Sequence, residues 1–244
     1  LHYLDLGPKF NSFKNFTRKA IDKKLNTASL KNFKKEKILE KDGKINNALK
    51  GGDLLLAQIS KEPISTKGPR LTTEISIAGR YMVLLPFSDK VSISQKIEDS
   101  EEKARLKKLI RSIKPHGFGV IIRTVATGKK VAELDRDLKN LYKKWQIISK
   151  KLKGAQPNTR ILGELNRSAS LLRDLLSAKF NNIHVNSPEL KEELKEYLSR
   201  ISPEQEKIVK LHKKDTPIFQ EFNVTKQIKG AFGKNVTMKK GVYL

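Results

Sequence analysis

The chain contains no cysteine among its 244 residues. Disulfide bonds, thiol catalysis and cysteine-bound zinc are therefore excluded within it, which fits a reducing compartment. No window is long and apolar enough to span a bilayer, and no strongly amphipathic basic helix carries an exposed aromatic face. The phosphate loop GxxxxGK[ST] and the nucleophile motif GxSxG are absent as well.

Acidic residues are too few to balance the basic ones. The sequence has 51 Lys and Arg against 26 Asp and Glu, so its formal net charge is +25 and its pI is about 10.1. Such an excess points to a polyanionic partner. Nucleic acid is the leading candidate, and an anionic membrane surface is the second.

No catalytic constellation is evident. The carboxylates of Asp135 and Asp137 are two residues apart on a helix and diverge, so they make a poor metal pair. The four histidines show no ligand spacing such as two at i and i+4: His2, His116, His184 and His212. The sequence predicts neither a catalytic residue nor a metal site in this chain.

A lysine-rich segment runs from Lys9 to Lys50. It holds 12 Lys and Arg18 against four acidic residues, a local net charge of +9, and it is poor in large apolar residues. One interpretation is a solvated, loosely helical insertion, and another is an electrostatic arm that stacks aromatic rings on bases. The aromatic residues of the segment are Phe10, Phe13, Phe16 and Phe33. The first three are spaced by three, which is more typical of one packed helix face.

The middle of the chain predicts strands followed by two helices. DLLLAQISKEP and LTTEISIAGRYMVLLP are β-branched, apolar runs bounded by glycine and proline. A helix capped at Asp99 or Ser100 places Leu106, Leu109, Ile110 and Ile113 at helical spacing and ends before Pro115. A short buried strand over Val120 to Ile122 follows. After Gly128 a long helix places Val131, Leu134, Leu138, Leu141, Trp145 and Ile148 on one side.

The last third alternates again, which is typical of helices packed on a sheet. ASLLRDLLS predicts a helix, FNNIHV a strand, PELKEELKEYLSRI a helix and NVTKQIKGAFG a helix before the final strand GVYL. From the residues alone, the chain is a basic α/β protein that binds RNA or DNA.

The succession KGPRLTTEISIAGRYMVLLP, GFGVIIRTVATGKK, DLKNLYKKW, LLRDLLS and TPIFQEFNVTKQIKGAF resembles the ribonuclease E/G family of bacterial endoribonucleases. The resemblance covers nearly everything from about Gly52 to Leu244. It implies a mixed α+β fold in four parts. A partial S1-type oligonucleotide-binding barrel with the Lys-rich insertion spans 1–73, and a small α/β 5′-sensor subdomain spans 74–165. A ribonuclease H-like α/β scaffold spans 166–233, and 234–244 begins a deoxyribonuclease I-like catalytic subdomain.

The same resemblance implies a fragment of the N-terminal catalytic half. LHYLDLG is similar to the middle of the S1 barrel, and GVYL to the first strand of the catalytic subdomain. The family's Mg²⁺-binding aspartates and zinc-linking cysteines then lie beyond Leu244, so this fragment is expected to be inactive alone. The full-length enzyme is expected to be a cytoplasmic homo-oligomer that acts in rRNA processing and mRNA decay. The lysine-rich segment is longer and more basic than the family pattern, and its role stays open.

Site residues also follow from the resemblance. The family binds the 5′-monophosphate of single-stranded RNA with a strand-ending Arg-Thr, which falls on Arg123 and Thr124, and with backbone that falls on Gly79 and Val83. A guanidinium supplies parallel donors to phosphate oxygens, threonine adds a hydroxyl and an N–H, and glycine permits close approach. A surface salt bridge is the alternative role for Arg123.

Two further residues are RNA-binding candidates. Lys67 falls on a position that the family's S1 surface uses for single-stranded RNA, with an ordinary solvated lysine as the alternative. Tyr81 is suited to stack on a base or to pack in its strand. The implied function is the RNA-sensing part of a single-strand-specific endoribonuclease, and the alternative is a non-catalytic RNA-binding or assembly factor that reuses the fold.

Overall fold

The computed structural model describes residues 1–25, 27–163, 167–177, 180–233, 236–238 and 241–243. The chain divides into two compact units, Leu1–Glu164 and Leu165–Leu244. Each unit combines short strands with helices, so the expected mixed α+β class is confirmed. Among the described residues, no helix is both long enough and apolar enough to cross a membrane.

The first unit opens with helices and a small sheet. After a 3-10 turn over Tyr3–Leu6 come α1 (Phe10–Ile21) and α2 (Ile45–Ala48), and then β1 (Gln58–Lys61) pairs antiparallel with β2 (Arg70–Thr72). The described residues form no closed barrel over 1–73, and the partial S1-type barrel expected there stays a prediction. Strands of four and three residues with mostly exposed side chains cannot enclose a core.

A four-stranded sheet forms the centre of this unit. In chain order its elements are β3 (Ile77–Ala78), β4 (Met82–Pro86), β5 (Val91–Ile93), α3 (Ser100–Ile113), β6 (Phe118–Ile122) and α4 (Val131–Leu152). The strands lie in the order β3-β4-β6-β5. β4 runs antiparallel to β3 and β6, whereas β5 runs parallel to β6 because α3 forms the crossover between them.

Alternation along the strands gives the sheet a buried face. Met82 and Leu84 of β4 and Val120 and Ile122 of β6 are all buried in one core with α1, α3 and α4. Trp145 of α4 is fully buried there, as expected, and its indole Nε1 donates to the Ala28 carbonyl at 2.9 Å. Val131 is 52% exposed although the pattern placed it on the buried side, because it is the first residue of α4.

Helix α1 belongs to this core. Phe10, Phe13 and Phe16 are each no more than 2% exposed, and the Phe16 ring lies 4.9 Å from Trp145 between centroids. Phe33 is partly buried against the same cluster. The packed helix face is therefore confirmed, and the interpretation of these rings as base-stacking groups is wrong. The solvated interpretation suits only the part of the segment after α1, where most residues are exposed and irregular.

The second unit has a core of its own. It contains α5 (Arg167–Leu175), β7 (Ile183–Val185), α6 (Pro188–Ile201), β8 (Val209–Leu211), α7 (Ile218–Glu221), α8 (Val224–Ala231), β9 (Val236–Met238) and β10 (Gly241–Tyr243). β7 and β8 are parallel because α6 crosses between them, whereas β9 and β10 are antiparallel. Ser187 caps α6, since its hydroxyl accepts the Leu190 N–H at 3.1 Å.

Candidate nucleic-acid interface

Arg123 follows the last residue of β6, and two of its contacts are with the turn between β3 and β4. Its backbone N–H donates to the Tyr81 carbonyl at 2.9 Å, which adds one rung beyond β4. Its guanidinium Nη1 donates to the Gly79 carbonyl at 3.0 Å. β4 lies between β3 and β6, so the side chain reaches across the start of β4. The half-buried guanidinium is therefore oriented by the backbone rather than swinging freely in solvent.

Thr124 is exposed and begins a 3-10 turn over Thr124–Ala126. Its carbonyl accepts the backbone N–H of Thr127 at 3.1 Å and the Thr127 hydroxyl at 2.8 Å. Within the described part of the chain, no group hydrogen-bonds to the Thr124 hydroxyl. Thr124 thus presents a polar side chain next in sequence to the oriented guanidinium.

The loop after Thr124 is tied to α3 through Glu102. The Glu102 carboxylate accepts the Gly128 N–H at 2.8 Å and two donors of Arg105, at 2.6 and 2.7 Å. These hydrogen bonds, the Arg105 contacts first, lower the pKa of Glu102 to about 2. The carboxylate therefore stays charged at neutral pH and keeps this loop in place.

Gly79 directly follows β3, at the start of the turn to β4, and its N–H donates to the Met82 carbonyl at 2.8 Å. A Cβ built on Gly79 would lie 2.7 Å from Oδ2 of Asp137, so a side chain here would displace that carboxylate. The sequence suggested glycine here for the approach of a phosphate. The structure adds a second requirement, which is the approach of a carboxylate from α4.

Val83 lies in the middle of the sheet, paired with Ala78 on one side and Ile121 on the other. Its side chain shares the less covered face with Ile121, which is 37% exposed. The structure thus brings Arg123, Thr124 and Gly79 together, while Val83 lies further along β4 on the same sheet.

The two other RNA-binding candidates have different surroundings. Tyr81 is 7% exposed, and its hydroxyl lies 3.4 Å from Oε1 of Glu133, so its burial matches the packing role. Burial also raises the pKa of the Tyr81 hydroxyl. Lys67 is exposed in a tight turn closed by backbone hydrogen bonds with Ile64.

Sequence reasoning missed the role of Asp137. Its carboxylate accepts the backbone N–H of Tyr81 at 2.9 Å and of Arg80 at 3.3 Å, whereas Asp135 points away to Lys139 at 2.6 Å. Burial raises the pKa of Asp137, and the amide donors oppose that shift. One signal was available: Asp137 follows Leu134 by three residues, on the buried side of the helix.

Helix α4 also carries a run of unbalanced charge. From Leu138 to the C-cap residue Lys153 there is no acidic residue, and there are six lysines: Lys139, Lys143, Lys144, Lys150, Lys151 and Lys153. Such a run attracts a sugar-phosphate backbone without reading its sequence. By contrast, no group of three or more His, Asp or Glu side chains converges anywhere in the described residues. The donor set that the structure describes does not fit a metal centre.

Comparison with known proteins shows which proteins this chain is similar to. The model of the Ribonuclease E/G family matches residues 76–244. Ribonuclease G of Escherichia coli is 36% identical over 200 residues, covering 82% of this chain and 41% of that protein. Ribonuclease G of Haemophilus influenzae is 33% identical with the same coverage. Ribonuclease E of Nostoc sp. is 35% identical over 197 residues, covering 78% of this chain and 28% of that protein.

This chain therefore spans about two fifths of the ribonuclease G proteins that it matches, and less of ribonuclease E. The family match covers well over half of the chain, and it includes the sheet, Arg123 and the whole second unit. The chain belongs to the ribonuclease E/G family.

Proposed function

We propose that this chain is the RNA-binding, 5′-end-sensing portion of a single-strand-specific endoribonuclease of RNA processing and decay. Its membership of the ribonuclease E/G family and its net charge of +25 support an RNA ligand. The observation that carries the proposal is the 3.0 Å contact from the Arg123 guanidinium to the Gly79 carbonyl. It leaves a strand-end arginine held in one orientation beside an exposed threonine.

The chemistry of a 5′-monophosphate suits such a pair. A terminal phosphate carries more negative charge than a phosphodiester, and a 5′-hydroxyl carries none. A guanidinium binds phosphate oxygens through charge-assisted hydrogen bonds, and the Thr124 hydroxyl adds a neutral donor. Because Arg123 is already oriented, binding a phosphate costs little side-chain entropy. The site then distinguishes two RNAs that differ only at the 5′ end.

In this proposal, cutting takes residues outside the chain. The Mg²⁺ of the cutting step, the zinc link and the assembly into a homo-oligomer belong to the full-length protein. The four-part division of the resemblance, with an S1-related segment, a sensor, a scaffold and the start of a catalytic subdomain, is retained as part of the proposal. Cleavage of a fluorogenic oligoribonucleotide by the highly purified chain with Mg²⁺, abolished by EDTA, would contradict it.

Fluorescence anisotropy with a matched pair of RNAs tests the sensor. The two oligonucleotides share one sequence, and one carries a 5′-monophosphate where the other carries a 5′-hydroxyl. We expect the phosphorylated RNA to bind more tightly and Arg123→Ala to remove most of the difference, about 10- to 100-fold. Arg111→Ala is the matched control, because Arg111 is an exposed arginine near the far end of α3. If Arg123→Ala weakens both RNAs equally, Arg123 is only a general basic contact.

A further inference from the structure

We infer that Asp137 is a positioning residue for the 5′-phosphate site: it holds the turn between β3 and β4, and that turn orients Arg123. The inference rests on the proposed function, because it concerns the same site. Asp137 lies on α4 and contacts the turn rather than the ligand. Its effect on a ligand is therefore indirect.

Backbone N–H groups of the turn surround the Asp137 carboxylate. Asp137 accepts the N–H groups of Tyr81 at 2.9 Å and Arg80 at 3.3 Å, and the backbone N–H of Met82 helps to lower its pKa. Successive amides that point at one anion form a concave binding site for it. Since Arg80 and Tyr81 are 8% and 7% exposed, these amides have little access to water. Asp137 is the acceptor that the turn requires.

The peptide groups that face Asp137 also face Arg123. The Arg80 N–H and the Gly79 carbonyl belong to one planar peptide group. That group donates to Asp137 at one end and accepts from the Arg123 guanidinium, at 3.0 Å, at the other. A carboxylate, a peptide dipole and a guanidinium are thereby aligned in one chain of hydrogen bonds.

A second peptide group adds a weaker link. The Met82 N–H helps to lower the pKa of Asp137, and the Tyr81 carbonyl of the same peptide accepts the Arg123 backbone N–H at 2.9 Å. Asp137 is therefore linked to the side chain of Arg123 through one peptide and to its backbone through the other. In such chains each hydrogen bond polarises the next, so a change at the carboxylate reaches both contacts of Arg123.

Gly79 lies in close contact with the Asp137 carboxylate. A Cβ on Gly79 would lie 2.7 Å from Oδ2 of Asp137, so the carboxylate packs directly against the turn at this glycine. A carboxylate in this place has only a narrow range of positions. The turn, and with it the Gly79 carbonyl that Arg123 contacts, is therefore fixed relative to α4.

Asp137→Asn tests the inference with little change of size. An amide replaces one oxygen by a donor, so the side chain no longer accepts from all of these N–H groups. Asp135→Asn is the matched control, since it makes the same change two residues away, where the carboxylate only pairs with Lys139. The readout is the ratio of the affinities for 5′-monophosphate and 5′-hydroxyl RNA at fixed salt. A purely structural role would not change this ratio in a folded variant.

We expect Asp137→Asn to lower that ratio about tenfold and to leave the affinity for 5′-hydroxyl RNA unchanged, because a small displacement of a positioning group costs about this much or more. Asp135→Asn should leave the ratio unchanged. If the unmutated chain shows no preference for the phosphate, the proposed function itself fails. If it does and folded Asp137→Asn retains the same ratio, only the role of Asp137 is overturned.

A measurement on the unmutated chain covers the case in which Asp137→Asn does not fold. A 5′-monophosphorylated trinucleotide is titrated into isotope-labelled protein, with the 5′-hydroxyl trinucleotide as the control. We expect the amide proton signals of Arg80 and Met82 to shift with the phosphorylated ligand alone, because their peptide groups face Arg123. Saturable binding of that ligand with both signals unmoved would overturn the inference.

Discussion

Arg123 combines a backbone donor and a side-chain donor on one short turn, at the carbonyls of Tyr81 and Gly79. A lysine at this position would keep the positive charge, but it has a single ammonium on a flexible stem. Its three donors leave a single nitrogen, so it cannot reproduce the two parallel hydrogen bonds to a phosphate that the planar guanidinium makes while it contacts the Gly79 carbonyl. The geometry of the contact, as well as its charge, therefore matters for binding.

We therefore expect Arg123→Lys to restore only part of the preference for 5′-monophosphate RNA that Arg123→Ala removes. Thr124→Val should cost less, because one hydroxyl is lost and the backbone N–H remains. The hydroxyl offers one uncharged donor to the phosphate, whereas the guanidinium offers two parallel donors and a full positive charge. Anisotropy on the matched RNA pair measures both variants. A lysine variant as selective as the unmutated chain would show that charge alone recognises the phosphate.

Arg123, Thr124 and Gly79 could be grouped from the sequence only through the resemblance. The structure shows a contact between Arg123 and Gly79, and the phosphate-binding role of the three residues stays a prediction. Asp137 was judged only as a metal ligand. Its real partners are backbone amides 55 to 57 residues away, and backbone amides have no signature in a sequence.

Among the elements, α1 shows how two interpretations of one pattern are separated. Aromatic residues at every third position suit a packed face or a stacking surface equally well. Phe87 and Trp145 decide between them, because Phe13 lies 4.7 Å and Phe16 4.9 Å from those rings. Both partners lie far along the chain, so the pairing could not be derived from the segment itself.

Helix α1 should therefore contribute to stability. We expect Phe16→Ala to lower the free energy of unfolding by about 3–5 kcal/mol, because it empties a fully buried ring site. Lys24→Ala, an exposed change just after the helix, should stay within about 0.5 kcal/mol. Urea denaturation followed by the Trp145 fluorescence gives both values. Unchanged stability together with weaker RNA binding would restore the stacking interpretation.

The strands were harder to predict than the helices. The capped helix after Asp99 and the long helix after Gly128 appear as α3 and α4, because local caps and periodicity specify them. The run from Leu71 to Pro86 instead breaks into β2, β3 and β4. Strand β5 has only three residues and pairs parallel to β6 across α3, so its partner is decided by packing. Short strands of this kind carry little periodic signal.

At the scale of the whole molecule, charge is the feature that the sequence predicts most directly. The excess of +25 acts on any polyanion, so its effect on RNA binding has to be separated from that of the 5′ site. RNA with a 5′-hydroxyl serves this purpose, because it lacks the group that Arg123 is proposed to bind. What the total charge leaves open is whether the lysine-rich segment after α1 contributes more than its share.

We expect the exposed segment after α1 to form part of the RNA-binding surface, because it adds a dense local charge to the unit that holds Arg123. Replacing Lys31, Lys34, Lys37 and Lys41 by Gln removes four exposed charges and leaves α1 intact. The matched control replaces Lys207, Lys213, Lys226 and Lys229, four exposed lysines of the second unit.

Each phosphate neutralised on a single strand adds about 0.7 to the slope of log K against log salt. The first variant should lose up to about three units of this slope and the control much less, measured on 5′-hydroxyl RNA. Equal slopes for the two variants would mean that the segment is a solvated insertion and that RNA responds only to net charge.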